Sequence, residues 1–168
     1  MKFVEVQIED FNEVYSQMEE SFPVCERRSY SEAKAVLSNQ DYKLYHIEED
    51  CKKIGFISIW QLNGFNFVEH FAIYSQFRNL GYGAKSLDFA KKQWAKLVLE
   101  AEPAITEIAK RRLTFYKRNG FCENQFKYMQ PAYRDGEEDV ELVVMSYPSL
   151  LDDSESVVKE IYKKVYGR

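Results

Sequence analysis

The residues with the clearest chemical potential lie together, in Phe71-Ala-Ile-Tyr-Ser-Gln-Phe-Arg78-Asn-Leu-Gly81-Tyr-Gly83-Ala-Lys85. A β-rich run leads into a turn with two glycines, and the turn opens directly into a segment of helical period. A helix N-terminus presents unpaired N–H groups and partial positive charge, which suits an anion. Glycine lets the backbone approach a phosphate with no Cβ between them. Arg78 and Lys85 add positive charge to the same turn. Two nucleotide motifs nearly fit. A P-loop needs Gly-Lys-Ser/Thr in succession, whereas Gly83-Ala84-Lys85-Ser86 carries an intervening alanine. A dinucleotide fingerprint needs a third glycine where Ser86 stands, inside a parallel βαβ unit. Metal and disulfide chemistry have weaker support. Cys25, Cys51 and Cys122 are isolated, and neither His46 nor His70 lies near a cysteine pair, so zinc and disulfide spacings are missing.

The elements that must position this turn follow from periodicity. Residues 2–8 alternate as a strand, and Asp10 is placed to cap a helix carrying Phe11, Val14, Tyr15 and Met18. Phe22-Pro23 ends that helix, because the residue before proline is pushed out of α geometry. A second helix follows Ser31. Residues 42–47, 54–62 and 65–74 read as three strands, the last two joined by the hairpin signal Asn63-Gly64. Ala84, Leu87, Ala90 and Trp94 then share a helix face. A short buried strand is expected at 97–101, a helix opened by Pro103 and running to 118, and a strand pair at 121–128 and 140–146. Between that pair lies an acidic loop, Asp135 to Glu141. Residues 152–166 form an amphipathic tail helix with Asp152 or Ser154 as its cap.

The chain has 168 residues, with Lys+Arg 23 against Asp+Glu 27, a net charge of −4 and a pI ≈ 5.4. The length suits one domain. Composition of 45% hydrophobic and 30% charged residues argues against disorder. The mild acidity disfavours nucleic acid and anionic membrane as partners, and no apolar run approaches 18 residues. Glu5, Glu9 and Asp10 fall where a signal peptide needs an apolar core, so a cytoplasmic setting is expected.

With these elements in place, the sequence resembles the GNAT superfamily of acyl-CoA N-acyltransferases. The family signature Arg/Gln-x-x-Gly-x-Gly/Ala stands here as Arg78-Asn79-Leu80-Gly81-Tyr82-Gly83, after the fourth strand. A second hallmark, aromatic-Tyr-x-x-x-Gly-Phe, stands as Phe115-Tyr116-Lys-Arg-Asn-Gly120-Phe121. Many relatives carry Asn-x-x-Ala before the aromatic pair, where this chain has Ala109 and Arg112. The resemblance covers residues 1–147 as one domain, with 148–168 as an extra helix packed on it or on a second subunit. It implies an α+β, three-layer fold: a mixed, mostly antiparallel sheet flanked by helices, with an extra C-terminal helix. It further implies acetyl-CoA as donor, with no metal. The pyrophosphate would sit on Arg78, Asn79, Leu80, Gly81, Tyr82, Gly83, Ala84 and Lys85. The pantetheine arm would pair with the strand at Phe71, Ala72 and Ile73.

Acetyl transfer to an amine must remove a proton, stabilise an oxyanion and protonate a thiolate. An amine pKa near that of lysine, about 10.4, calls for a base. Glu69 is the base candidate: alternation places it among Phe65, Phe67, Phe71 and Ile73, and aromatic surroundings raise a carboxyl pKa. His70 then points to the opposite face, unless a bulge exchanges them. Tyr116, in the family's tyrosine position, is the candidate acid. Glu26, in the connection after Phe22-Pro23, is the candidate acceptor contact, because that loop borders the acceptor site in the resembled family. The basic run Lys110, Arg111, Arg112, Lys117 and Arg118 would meet either the cofactor's phosphates or the acidic loop. The expected activity is direct transfer from acetyl-CoA to a primary amine of a small metabolite. A peptide N-terminus is the alternative acceptor, a non-catalytic acyl-CoA-binding module the alternative function, and a homodimer a possible assembly.

Overall fold

The computed structural model describes residues 1–134 and 136–168. Eight strands form one sheet: β1 (Lys2–Glu5), β2 (Tyr42–Glu49), β3 (Lys52–Leu62), β4 (Phe65–Ile73), β5 (Leu97–Ala101), β6 (Cys122–Glu123), β7 (Tyr128–Gln130) and β8 (Val140–Tyr147). Their order is β1-β2-β3-β4-β5-β8-β6, with β7 also on β8. Every pairing is antiparallel except β4–β5. Helices α1 (Phe11–Ser21), α2 (Tyr30–Ala35) and α5 (Ser154–Ile161) cover one face, and α3 (Tyr82–Gln93) and α4 (Glu107–Arg118) cover the other. This is the expected three-layer α+β arrangement.

Two cores result, one on each side of the sheet. Phe11, Val14 and Met18 of α1 pack with Phe56, Phe67 and the tail residues Ile161 and Val165. Leu87 and Ala90 of α3 and Leu113 and Tyr116 of α4 pack with Ile57, Val68 and Leu99. Ile161 and Val165 are 0% and 5% exposed, so the tail helix buries its apolar stripe against its own sheet. Its last turn, Tyr162–Tyr166, widens into π geometry.

Several element ends differ from the sequence reading, each for a local reason. Asp10 makes no capping bond and closes a 3₁₀ turn that precedes α1. Ser29, rather than Ser31, opens α2, through a capping box with Glu32. Helix α4 starts after Thr106, whose hydroxyl accepts from the Ala109 N–H, rather than at Pro103. Asp153, between the two expected candidates, caps α5. The expected strand at 121–128 is broken into β6 and β7, because Asn124 folds its side chain inward. Its Nδ2 donates to Val144 O and Ser146 Oγ, and its Oδ1 accepts from Leu151 N–H at 2.9 Å. The expected acidic loop begins at Asp135, which lies outside the described residues.

Candidate active site

The site originates in a fork between two strands. β4 pairs with β3 from Phe65 to Ile73, but on its other edge it meets β5 only through Asn66, Phe67 and Val68, opposite Leu97, Val98 and Leu99. Beyond that register the strands part. A cavity of about 330 Å³ fills the opening, lined by Val68 to Ile73 on one side and Leu99, Glu100 and Ala101 on the other. The Tyr74 N–H donates to Ile54 O of β3 at 2.9 Å. Backbone groups alternate between strand edges, so Phe71 and Ile73 turn theirs toward the fork. Ile73 O is met there by Arg78 Nε at 2.9 Å.

A β-bulge decides which side chains enter this cavity. His70 pairs with Ser58 and Val68 with Ile59, which leaves Glu69 as the extra residue. The bulge exchanges the faces that follow it. Phe65 and Phe67 pack on the α1 side, but so do His70, against Phe22 with ring centroids 4.7 Å apart, and Ala72. Phe71 and Ile73 instead face α3 and α4. The single face expected for Phe65, Phe67, Glu69, Phe71 and Ile73 is therefore corrected. His70 shares the cavity with Glu69. Burial lowers the His70 pKa against the pull of Glu69, which favours the neutral ring.

Two carboxylates stand at the first positions past the fork. The Glu69 side chain is 2% exposed and accepts from Arg28 Nη2 at 3.0 Å, Tyr133 OH at 2.9 Å and Trp60 Nε1 at 2.9 Å. Burial alone would raise its pKa, but the Arg28 guanidinium, with His70, Trp60 and Tyr133, holds it below the usual carboxylate value. This reverses the elevation expected from its aromatic neighbours, because alternation on one strand gives no sign of a cation arriving from another element. Glu100 is the site residue that the sequence reading missed. Its oxygens accept from Tyr128 OH and, at 2.8 Å, from Tyr166 OH. Burial pushes its pKa up to about 7, against the pull of those two hydroxyls. The one available signal was an acid inside the otherwise apolar run Leu97-Val-Leu-Glu-Ala.

Tyr116 reaches the same cavity from α4. Burial raises its pKa to about 12, with Arg112 opposing, so the phenol stays protonated. Glu26 lines the opening from the α1–α2 connection, and its backbone carbonyl lies 3.0 Å from His70 Nε2. Burial and the nearby Glu102 raise the Glu26 carboxyl pKa, with Arg112 opposing.

The other end of the site is main chain. Asn79 and Gly81 adopt φ of 62° and 80°, which bends the chain into the first turn of α3. The Lys85 N–H returns to Gly81 O at 3.2 Å, and the N–H groups before it have no intrahelical acceptor. A Cβ on Gly83 would stand 3.1 Å from the Phe115 ring, so any larger residue there requires that ring to give way by a few tenths of an ångström. Arg78 is exposed and, among the described residues, has no acidic partner. Lys85 differs from expectation: its ammonium is bound to Glu49, away from the turn. Ala84 borders a groove of about 660 Å³ that α4 lines with Lys110, Arg111 and Arg118. Arg112 instead turns to Glu102 at 2.7 Å, and Lys117 to Glu123 at 2.6 Å. Helix-leading N–H groups without intrahelical acceptors, a close glycine contact and the cations of Arg78, Arg111 and Arg118 fit a phosphate-bearing cofactor, while Lys110 is already paired with Glu107 at 2.8 Å; the open strand edge fits an extended arm.

Comparison with known proteins agrees with this geometry. Residues 40–123 match the profile of the acetyltransferase (GNAT) domain. A GNAT-family acetyltransferase structure from Bacteroides thetaiotaomicron is similar at 30% identity and a TM-score of 0.95, covering 100% of this chain and 99% of that one. A mutant of the spermidine N-acetyltransferase SpeG from Vibrio cholerae superposes with a TM-score of 0.60 at 13% identity, over 87% of this chain and 94% of its own. An aminoglycoside 6'-N-acetyltransferase complexed with coenzyme A gives 0.58 at 13% identity, over 87% and 96%. The latter two likenesses concern the fold alone. No curated protein matches the chain in sequence.

Proposed function

The chain belongs to the GNAT family of acetyltransferases, and from that premise we propose that it moves the acetyl group of acetyl-CoA directly to a primary amine of a small metabolite. The observation that carries this reading is the forked cavity, with main-chain donors and cations at one end and buried carboxylates at the other. A volume of about 330 Å³ is in the range of small-molecule pockets. The structural neighbours that act on spermidine and on aminoglycosides are in keeping with a small amine. A cytoplasmic setting belongs to the same proposal; the three cysteines are free, and no described helix is long and apolar enough to cross a membrane.

In this reading the N–H groups from Asn79 to Ala84 hold the pyrophosphate, and Arg78, whose own N–H is spent on Ser75 O, adds the charge of its guanidinium. Lys85 contributes only its main chain, since Glu49 already neutralises it. Phe71, Ala72 and Ile73 guide the extended arm along the fork, and acetyl-CoA supplies the activated thioester. The Phe71 N–H, turned toward the fork, is placed to meet the developing oxyanion. Tyr116, kept protonated by burial, donates to the departing sulfur. Glu26 meets the ammonium at the cavity mouth. Glu69, with its lone pairs committed to Arg28, Trp60 and Tyr133, supplies a fixed negative charge deeper in.

Incubation with acetyl-CoA and a panel of amines, following free thiol, tests the reading. Turnover with a small amine supports it, whereas binding of acetyl-CoA without turnover favours a non-catalytic module. Tyr116→Phe is expected to lower kcat about 10²-fold while KM for acetyl-CoA stays within about twofold. Full turnover by that variant at every pH would remove Tyr116 from the acid role.

A further inference from the structure

We infer that Glu100 takes the proton of the acceptor ammonium, and that Tyr166, delivered by the tail turn, is the positioning residue that holds Glu100 ready for it. The inference rests on the acetyltransferase reading above and assigns its missing base.

Val68 and Leu99 are the last paired residues of β4 and β5, so Glu69 and Glu100 are equivalent positions on the two arms of the fork. Both line the cavity, yet their partners differ in kind. Glu69 is bound to a guanidinium and two further donors, which stabilise its anion and leave it little affinity for a proton. Glu100 has no cation among its described partners, only two phenol hydroxyls, one on each oxygen. A base for an ammonium must be ionised near neutrality and still bind a proton there, which a carboxyl titrating near 7 does. The groups facing it are Tyr128 from β7, Tyr162 and Tyr166 from the tail, Tyr133 from the segment after β7, Glu69 from β4 and Glu26 from the α1–α2 connection. From α4, Tyr116 and Arg112 border the same space.

Tyr166 is held by more than its own hydrogen bond. Arg28 Nη2 donates to Val165 O at 2.7 Å, Tyr162 OH donates to Met129 O, and Val165 is 5% exposed. The Tyr166 ring lies 5.2 Å from that of Tyr133, whose hydroxyl donates to Glu69. The last turn of the chain therefore braces both carboxylates.

The proton count closes. One ammonium proton passes to Glu100, freeing the nitrogen lone pair to form the C–N bond. The C–S bond breaks and its electron pair stays on sulfur, which accepts a proton from Tyr116. The second nitrogen proton leaves as the amide forms and restores Tyr116 through water. Glu100 returns its proton to solvent.

The test is the pH dependence of kcat/KM, joined to NMR titration of glutamate labelled with ¹³C at the side-chain carboxyl, with the Glu100 signal assigned by its loss in Glu100→Gln. In the unmodified chain the acid limb and the Glu100 midpoint are expected to coincide near 7. Glu100→Gln should lose about 10²-fold in kcat/KM and its acid limb, while binding acetyl-CoA as before by calorimetry. Tyr166→Phe removes a donor that favours the anion, so limb and midpoint should move up together by about half to one pH unit. Tyr128→Phe, a second variant on the other oxygen, should do the same. An acid limb that survives in Glu100→Gln, or a midpoint unmoved in both tyrosine variants, overturns the inference alone. If the unmodified chain turns over no amine, the acetyltransferase reading falls and the inference falls with it, wherever Glu100 titrates.

Discussion

Past the Arg78 end of the cavity the α3 turn is main chain, whereas on the β5 side the carboxylates are held by side chains drawn from distant parts of the fold. The first uses one continuous stretch, Arg78 to Ala84, in which the Arg78 N–H closes the preceding turn on Ser75 O and Tyr82, Gly83 and Ala84 lead α3 with N–H groups that have no intrahelical acceptor. The second joins Arg28, Trp60, Glu69, Glu100, Tyr128, Tyr133 and Tyr166, with no two adjacent in sequence. A wall of backbone tolerates exchange of most side chains around it, provided its glycines remain. A wall of mutually satisfied polar side chains fails as a unit, since removing one member leaves another buried without a partner.

Arg28→Leu is the harshest test of that difference. It strands the Glu69 carboxylate, and a loss of about 3–5 kcal/mol in unfolding free energy by urea titration is expected. The folded fraction should still bind acetyl-CoA within about threefold of the unmodified chain. A collapse of that affinity as well would mean that the two walls are coupled.

The two carboxylates should also respond oppositely to pH. Glu69 titrates below its unfolded value, so its contribution to stability is present above about 4.5 and is lost as pH falls through the folded value. Glu100 titrates above its unfolded value. Its contribution is complete below about 4.5 and is lost as pH rises through about 7, a change of up to about 3 kcal/mol. Glu100→Gln should therefore gain on the unmodified chain between pH 4 and pH 8 in thermal melts, and equal pH profiles would remove the contrast.

Gly83→Val addresses the main-chain wall. Its Cβ meets the Phe115 ring at 3.1 Å, and its two methyls add to the crowding, so that ring must shift in the α3–α4 contact. Acetyl-CoA affinity should fall about tenfold, with about 1 kcal/mol of stability lost. The NMR midpoint of Glu100 should stay in place, and a moved midpoint would join what the comparison separates.

The same contrast explains what the sequence discloses. Gly81 and Gly83 are legible because the φ of one and the clearance of the other depend on neighbours within the motif or its partner helix. The hairpin at Asn63-Gly64 is legible for a similar reason: Gly64 sits at φ 84°, a local demand. The bulge at Glu69 is not, because an extra residue in a ladder is defined only by the strand opposite, and Val68-Glu-His-Phe alternates plausibly either way. The sign of the Glu69 shift was missed for the same cause, since Arg28 precedes it by some forty positions and arrives from another layer. Tyr166 sits on the apolar stripe of the tail. Nothing nearby in sequence distinguishes a phenol that fills space from one that braces a carboxylate.

The fork between β4 and β5 has a consequence for solubility and selectivity together. An unpaired strand edge at the rim of a sheet invites other chains to add to it. Here the unpaired edge lies at the centre of the sheet order, between strands that continue on either side. A strand from another protein, with side chains on both faces, would have to enter between two strands of one sheet, whereas the arm proposed to bind there is thin, linear and amide-bearing. The fold thus keeps an adhesive edge in its middle rather than at its rim.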